Sequence, residues 1–200
     1  MRNGLKDIQW CPGCGQYTVL AWLKQAIKEL KLNTKDIVVV SGIGCSGKFS
    51  QYVNSYGAET LHWRWLAFAS WVKLANPNLT VISIGGDWDT YWIWLNHFLQ
   101  TAKRNTDILH IVVDNENYAL TTWQASPTTP QWAKTKSTPK GKTSSALEPV
   151  KLAEAVWCKF SKDINAKDIK EVQKNVIKGI THKWFAHLNI KANCVWNKWS

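Results

Sequence analysis

Two short segments rich in carboxylate and amide side chains offer the clearest chemistry in this sequence. They are Gly85-Gly86-Asp87-Trp88-Asp89 and Asp114-Asn115-Glu116-Asn117. Each follows a short apolar run, so an Asp closes one expected strand and an Asn closes the next. Their hard oxygen atoms suit Mg²⁺, and such an ion can also hold the diphosphate of a cofactor. The pattern therefore predicts a magnesium site built on Asp87 and Asn115.

The residue that follows Asp87 conflicts with this interpretation. With glycine at position 88, the two segments would have the spacing of a site for thiamine diphosphate and magnesium. The position should be small, because the diphosphate passes close to the backbone there. The sequence has Trp88 instead.

Four of the five cysteines form a second candidate site. Cys11 and Cys14 make a Cys-x-x-Cys motif, which by itself is compatible with zinc, an iron–sulfur cluster or a redox dithiol. No second such motif is present, which argues against a zinc ribbon, and no strand is predicted before the motif, as a thioredoxin-like site would require. With Cys45 and Cys194 there are four thiolates, enough for a [4Fe-4S] cluster. Cys158 lies in an apolar stretch and is expected to be a small buried hydrophobe.

Alternating strands and helices must position these residues. Strands are predicted at residues 36–40, 79–84, 108–113 and 185–190, and helices at 16–30, 66–74, 90–103, 152–156 and 169–180. Residues 121–145 are rich in Thr, Ser, Pro and Lys and are expected to form a long functional loop. The alternation predicts an α/β fold, a parallel sheet in a three-layer αβα arrangement. Ligands should bind at the carboxyl ends of its strands.

Composition narrows the function classes. The 25 basic and 14 acidic residues give a net charge of +11, but the lysines are scattered, so a solvated surface is favoured over nucleic-acid binding. No apolar run approaches the ~20 residues of a membrane span, and no signal segment opens the chain. We therefore expect a cytoplasmic protein, in which cysteines serve metal or redox chemistry rather than disulfides.

Six collinear motifs carry a resemblance that covers nearly all of residues 10–195. They are WCPGCG at 10–15, SGIGCSGK at 41–48, TLH at 60–62, KLANP at 73–77, NHF at 96–98 and QASPTTP at 124–130. The sequence resembles the β subunits of 2-oxoacid:ferredoxin oxidoreductases, which bind thiamine diphosphate. Several of the motifs are individually specific.

The resemblance implies roles for residues at matching positions. The implied magnesium ligands are Asp87, Asn115 and the backbone carbonyl of Asn117. The implied cofactor-binding residues also include Gly44, Ser46, His62 and Gly86. The implied iron–sulfur ligands are Cys11, Cys14, Cys45 and Cys194. His62 and Lys48 are the implied catalytic residues, with Lys48 suited to a substrate carboxylate; the alternative is that both are ordinary surface residues.

The resemblance also implies an activity and partners. The expected reaction is oxidative decarboxylation of a 2-oxoacid to acyl-CoA and CO₂, with electrons passing through a [4Fe-4S] cluster to ferredoxin. An α subunit is expected to complete the site, so this chain alone should be inactive. The chain is expected to be one thiamine-diphosphate-binding domain over residues 1–200, with cluster ligands near both ends and a truncated C-terminus. The alternative is a non-catalytic iron–sulfur electron-transfer or scaffold subunit that has lost the cofactor.

Tryptophan is the unusual feature of the composition, with 14 in 200 residues. The family has glycine at the positions of Trp63, Trp71, Trp88, Trp92, Trp94, Trp123, Trp132, Trp157 and Trp184. One hypothesis explains all of them, namely a UGA codon written as tryptophan but read as glycine. The rival hypothesis is a degenerate paralogue or a tryptophan-rich binding surface. Either way, Trp63, Trp88, Trp92 and Trp123 should cluster at the carboxyl ends of the strands.

Overall fold

A six-stranded, all-parallel sheet forms the centre of the computed structural model, which describes residues 8–92, 95–121 and 123–196. The strand order is β2-β1-β3-β4-β8-β7. These strands are β1 (Ile37–Ser41), β2 (Tyr56–Glu59), β3 (Thr80–Gly86), β4 (Leu109–Asp114), β7 (Phe160–Asn165) and β8 (Ala186–Lys191). A separate antiparallel pair joins β5 (Asn117–Tyr118) to β6 (Gln124–Ala125).

Helices cover both faces of the sheet. They are α1 (Gln16–Glu29), α2 (Phe49–Tyr52), α3 (Trp65–Ala75), α4 (Asp87–Tyr91), α5 (Leu95–Arg104), α6 (Pro149–Ala155) and α7 (Ile169–Thr181). Local sequence sets several of their ends. The carboxylate of Asp168 caps α7 by accepting a hydrogen bond from the backbone N–H of Glu171, and Pro149 begins α6, where its missing N–H costs nothing.

The two faces of the sheet differ in polarity. On one face, β3, β4 and β8 present Ile, Leu, Val and Ala side chains to α1 and α7, and the core there is apolar. On the other face, the apolar core below α3, α5 and α6 also contains buried polar groups. Strands covered on both sides are nearly continuous in apolar residues, which is why the central strands were predictable from sequence.

A row of polar side chains crosses that second face. Ser83, His110, His187 and Ser161 are directly paired residues of β3, β4, β8 and β7. His110 Nδ1 lies 3.2 Å from Ser83 Oγ, His187 Nδ1 lies 2.8 Å from Ser161 Oγ, and the two imidazoles stack with centroids 5.8 Å apart. Burial lowers the pKa of His110 to about 3 and that of His187 well below its usual value, so both rings are neutral.

The predicted fold class is confirmed, and the elements agree within a few residues with two kinds of exception. The edge strands β2 and β7, the short helix α2 and the strand pair β5–β6 were not predicted. The single helix predicted over residues 90–103 is wrong, because α4 ends at Tyr91 and α5 begins at Leu95. Residues 93 and 94, including the predicted glycine position Trp94, lie outside the described residues. Within the described part of the chain, every helix is too short or too polar to cross a bilayer.

Candidate active site

The two predicted ligand segments meet at the carboxyl end of the sheet. β3 and β4 are parallel neighbours, so Asp87, which follows β3, and Asn115, which follows β4, lie side by side. With its amide nitrogen as donor, Asn115 is 2.9 Å from Asp87 Oδ1 and 2.7 Å from the carbonyl oxygen of Asn117. Turning that amide would present its oxygen beside the other two. The three predicted magnesium ligands therefore converge on one point.

A hydroxyl group that the sequence analysis did not assign ties this arrangement together. Thr128 Oγ1 lies 2.9 Å from Asp87 Oδ2 and 2.7 Å from Asp114 Oδ1, and all three side chains are buried. The next residue, Thr129, donates its hydroxyl to the carbonyl oxygen of Glu116. Residues 126–129 thus clamp the end of β3 to the loop after β4.

Two carboxyl groups lie buried in this small volume, and both have raised pKa values. Burial, and then the neighbouring charge of Asp114, raise the pKa of Asp87 to about 8. Burial likewise raises the pKa of Asp114. A divalent cation would relieve both effects, because opposite charge favours the ionised carboxylate. The chemistry of this donor set fits Mg²⁺.

Asp114 continues the polar contacts beneath the sheet edge. Its Oδ2 accepts a 3.0 Å hydrogen bond from Asn189 Nδ2. Tyr91 donates its hydroxyl to Asn189 Oδ1 at 3.0 Å, and the same hydroxyl lies 2.9 Å from His187 Nε2. An unbroken chain of buried polar groups therefore links the ligand loop to the polar row across the sheet.

His62 is oriented by a carboxylate that sequence reasoning left without a role. Its Nδ1 lies 2.7 Å from Oδ1 of buried Asp89, whose two oxygens also accept the backbone N–H groups of Ile43 and Trp63. Burial raises the pKa of Asp89, and these partners oppose that rise. The other imidazole nitrogen is 3.5 Å from the hydroxyl of Tyr118. His62 is thus held with Nε2 toward the cleft.

The glycine-rich loop after β1 forms the opposite wall. Gly44 has φ +88°, a left-handed conformation suited to glycine, and the space on the side where a Cβ atom would lie is open to a ligand. Ser46 is buried and accepts a hydrogen bond from Gln16, while Gly86 stands across from its hydroxyl. Lys48 instead hydrogen-bonds Gln9 and lies near Cys45. The structure therefore brings Gly44, Ser46 and Gly86 to the cleft and directs Lys48 toward the cysteines.

Three cysteine-bearing segments lie next to one another. Trp10 Nε1 donates to the carbonyl oxygen of Cys45 at 2.8 Å, and the backbone N–H of Gly15 donates to that of Asn193 at 3.0 Å. Burial, followed by the neighbouring thiols of Cys14, Cys194 and Cys11, raises the pKa of Cys45 to about 11.

The cysteine geometry is not that of a formed metal site. Among residues 8–92, 95–121 and 123–196, no three His, Cys, Asp or Glu side chains converge closely enough to hold a metal ion. Cys158 lies apart, buried in the second core, where its thiol donates to the carbonyl oxygen of Phe160.

Aromatic rings fill the cleft beside the ligand set. The indole of Trp88 stacks on Tyr118 with centroids 4.3 Å apart, and Trp63 and Trp92 flank it at 5.8 and 6.3 Å. About 30 Å³ remains between Ser46, Asp87, Trp88 and Asn115. That is room for only a few water molecules. The donors fit magnesium and a diphosphate, but the space left by Trp88 does not admit a diphosphate.

Known proteins resemble this chain over most of its length. Residues 42–190 match the family model described as thiamine pyrophosphate enzyme, C-terminal TPP binding domain. A 2-oxoacid:ferredoxin oxidoreductase subunit beta from Saccharolobus solfataricus is 43% identical over 92% of this chain, which spans 61% of that protein. The 2-oxoglutarate synthase subunit KorB from Archaeoglobus fulgidus is 37% identical over 97% of this chain, and the match covers 72% of that protein.

A solved structure shows the same fold. It is a 2-oxoglutarate:ferredoxin oxidoreductase from Magnetococcus marinus with 2-oxoglutarate, coenzyme A and succinyl-CoA bound. The TM-score is 0.94 at 31% identity, and the match covers 96% of this chain and 66% of that one. This chain therefore spans about two thirds or less of several of the proteins it matches.

Proposed function

This chain belongs to the family of 2-oxoacid:ferredoxin oxidoreductase β subunits, and from that premise we propose that it provides the magnesium and thiamine-diphosphate half of such an enzyme. The observation that carries the proposal is the convergence of Asp87, Asn115 and the carbonyl of Asn117. Three oxygen donors at the carboxyl ends of adjacent parallel strands suit a hard cation and the phosphates it holds.

The proposed reaction converts a 2-oxoacid and coenzyme A into acyl-CoA, CO₂ and a proton. The electron pair released passes to ferredoxin. Thiamine diphosphate, when bound, supplies the electron sink for decarboxylation. Asp87, Asn115 and Asn117 would hold the magnesium ion, and Gly44, Ser46 and Gly86 would border the diphosphate. His62, oriented by Asp89, would present Nε2 to the substrate side of the cleft.

A [4Fe-4S] cluster on Cys11, Cys14, Cys45 and Cys194 is the proposed electron carrier. Adjacency of the three segments supports this. Burial raises the pKa of Cys14 and of Cys45, and bound iron would favour the thiolate form of both. Lys48, beside Cys45, is proposed to act near the cluster end of the cleft rather than at the magnesium site. The α subunit, ferredoxin, coenzyme A and a 2-oxoacid are the proposed partners and substrates.

Cofactor binding tests the magnesium assignment. In the complex of the α subunit with a chain that carries glycine at position 88, Asp87→Ala should abolish Mg²⁺-dependent binding of thiamine diphosphate, measured by titration calorimetry. Asp36→Ala, in an exposed turn far from the cleft, should leave binding unchanged. Undiminished binding by Asp87→Ala would refute the assigned role.

Iron content tests the cluster and the alternative function. Anaerobic reconstitution should give about four irons per chain. Cys194→Ser should reduce that number, and Cys158→Ser should not. If the natural protein binds its full iron content but no thiamine diphosphate, the non-catalytic electron-transfer or scaffold role is favoured. Stoichiometric zinc with no iron would refute the electron-transfer path.

A further inference from the structure

Tryptophan occupies backbone positions that favour glycine. Among the described residues, seven non-glycine residues have positive φ, and four of them are Trp63, Trp123, Trp132 and Trp157, with φ between 56° and 68°. This left-handed region costs an L-residue about 1–2 kcal/mol, and Asn or Asp are the usual non-glycine occupants. One bulky residue type accounting for four such positions requires a common cause.

The turn after α6 shows the preference most directly. The helix ends with Val156 as its C-cap, and Trp157 follows with φ 64°. The N–H of Trp157 donates to the carbonyl oxygen of Glu154, and that of Cys158 donates to the carbonyl oxygen of Ala153. This pair of bonds is a Schellman motif, in which the left-handed residue is usually glycine. The indole here is 77% exposed, so it gains little from burial.

Trp63 violates a second rule. Its backbone is left-handed, and within the described residues its buried indole N–H has no hydrogen-bond partner. A buried indole N–H normally has a hydrogen-bond acceptor, and burying this donor without one costs about 1–3 kcal/mol. The backbone N–H of the same residue donates to Asp89, so the main chain of residue 63 takes part in the hydrogen bonding of the site and the indole does not.

Trp88 has an ordinary backbone but divides one cleft into two. Its side chain lines both the 30 Å³ space beside Asp87 and a neighbouring cavity of about 370 Å³ bordered by Gln124, Ser126 and Lys142. Removing the indole would join these spaces into one cleft that leads away from the magnesium ligands. Glycine at position 88 would therefore open the room that a diphosphate needs.

We propose that the natural protein carries glycine at positions 63, 88, 123, 132 and 157, and that one triplet, UGA read as glycine, encodes all five. The backbone argument is independent of the proposed function. The argument for position 88 rests on the proposed function, because it invokes the cofactor. Trp10 is the internal reference: it is buried, has negative φ, and its indole donates to Cys45, so it should be a true tryptophan.

Peptide mass spectrometry of the protein purified from its own cells tests the proposal. Trypsin should release residues 49–64, which contain Trp63 alone among the tryptophans, and residues 152–159, which contain Trp157 alone. Each should be about 129 Da lighter than the sequence requires, the mass difference between the two residues. Peptides covering positions 88, 123 and 132 should show the same replacement, and the peptide with Trp10 should retain tryptophan there. Tryptophan at any of the five positions would overturn the proposal.

Ligand binding separates this inference from the proposed function. Two recombinant chains, one with tryptophan and one with glycine at positions 63, 88, 123, 132 and 157, are each combined with the α subunit and titrated with thiamine diphosphate and Mg²⁺. Binding only by the five-glycine chain supports both ideas. Glycine in the natural peptides with no binding by the five-glycine chain upholds the inference and refutes the proposed function. Tryptophan at position 88 in a natural protein that binds the cofactor refutes the inference and upholds the function.

Discussion

Replacing Trp157 by glycine is expected to stabilise the chain, although it removes the largest side chain in favour of the smallest. The left-handed backbone at φ 64° should release about 1–2 kcal/mol of strain. Against this, glycine's greater freedom in the unfolded state costs about 0.5–1 kcal/mol. The side chain is 77% exposed, so little burial is lost. The net expectation is a gain of between zero and about 1.5 kcal/mol in the free energy of unfolding.

A matched control is available in α3. Trp71 is 72% exposed, nearly the same as Trp157, but it lies within a regular helix. Trp71→Gly should lower the free energy of unfolding by about 0.5 kcal/mol, since glycine is the poorer helix former. Trp157→Ala is the second control, because alanine removes the indole and keeps the strain.

Urea unfolding followed by far-ultraviolet circular dichroism measures these differences. At constant m-value, Trp157→Gly should move the midpoint upward and Trp71→Gly should move it downward. In thermal melts, about 1 kcal/mol corresponds to a shift of about 2–4 °C for a chain of this size. Equal destabilisation by the two glycine variants would refute the strain argument. So would a gain with Trp157→Ala as large as with glycine.

Two further predictions concern buried polar groups. In the complex whose β subunit carries glycine at position 88, Thr128→Val should weaken Mg²⁺-dependent thiamine-diphosphate binding about tenfold, because the hydroxyl that bridges the carboxyl groups of Asp87 and Asp114 is lost. Thr128→Ser should restore the affinity. Unchanged affinity of Thr128→Val would show that this contact is dispensable. The second prediction is acid sensitivity. His110 and His187 have lowered pKa values when folded, so below their unfolded pKa of about 6.5 the unfolded chain binds more protons, and stability should fall by up to about 1.4 kcal/mol per pH unit for each ring. The raised pKa values of Asp87 and Asp114 act in the opposite sense over this range, so urea midpoints are measured from pH 7.5 to 5 (about 6.5 being the expected onset) for the unaltered chain and for His110→Gln. Equal pH slopes of the two chains would contradict the neutral buried state of His110.

The centre of the fold was predictable from sequence, and its edges were not. β1, β3, β4 and β8 are runs of branched apolar residues because both of their faces are covered. The edge strand β2, Tyr-Gly-Ala-Glu, is largely exposed, and β7 exposes half of its residues, so neither has the apolar run that marks a strand. Their place is set by pairing with a neighbour, which a local pattern does not record.

Some residues of the candidate site could likewise be predicted from sequence and others could not. Asp87 and Asn115 could be assigned because parallel strands bring their ends together. Thr128 could not, because its role depends on a distant turn folding back over two strand ends. Asp89 likewise orients His62 through the fold, and its position next to the ligand segment was the one signal that could have drawn attention to it. A residue that acts by orienting another side chain depends on tertiary contacts, so its role is not visible in the local sequence.

The polar row across the sheet has a consequence for how the strands find their partners. Neighbouring residues on a strand point to opposite faces, so a slip of β8 by one residue would move His187 and Asn189 into the apolar core under α1 and α7. There the imidazole would lose Ser161 and Tyr91, and the amide would lose Asp114. Misaligned sheets are therefore penalised at several strands at once. The apolar residues of a parallel sheet are nearly interchangeable, and such sheets fold slowly. These few polar contacts therefore favour a single strand alignment.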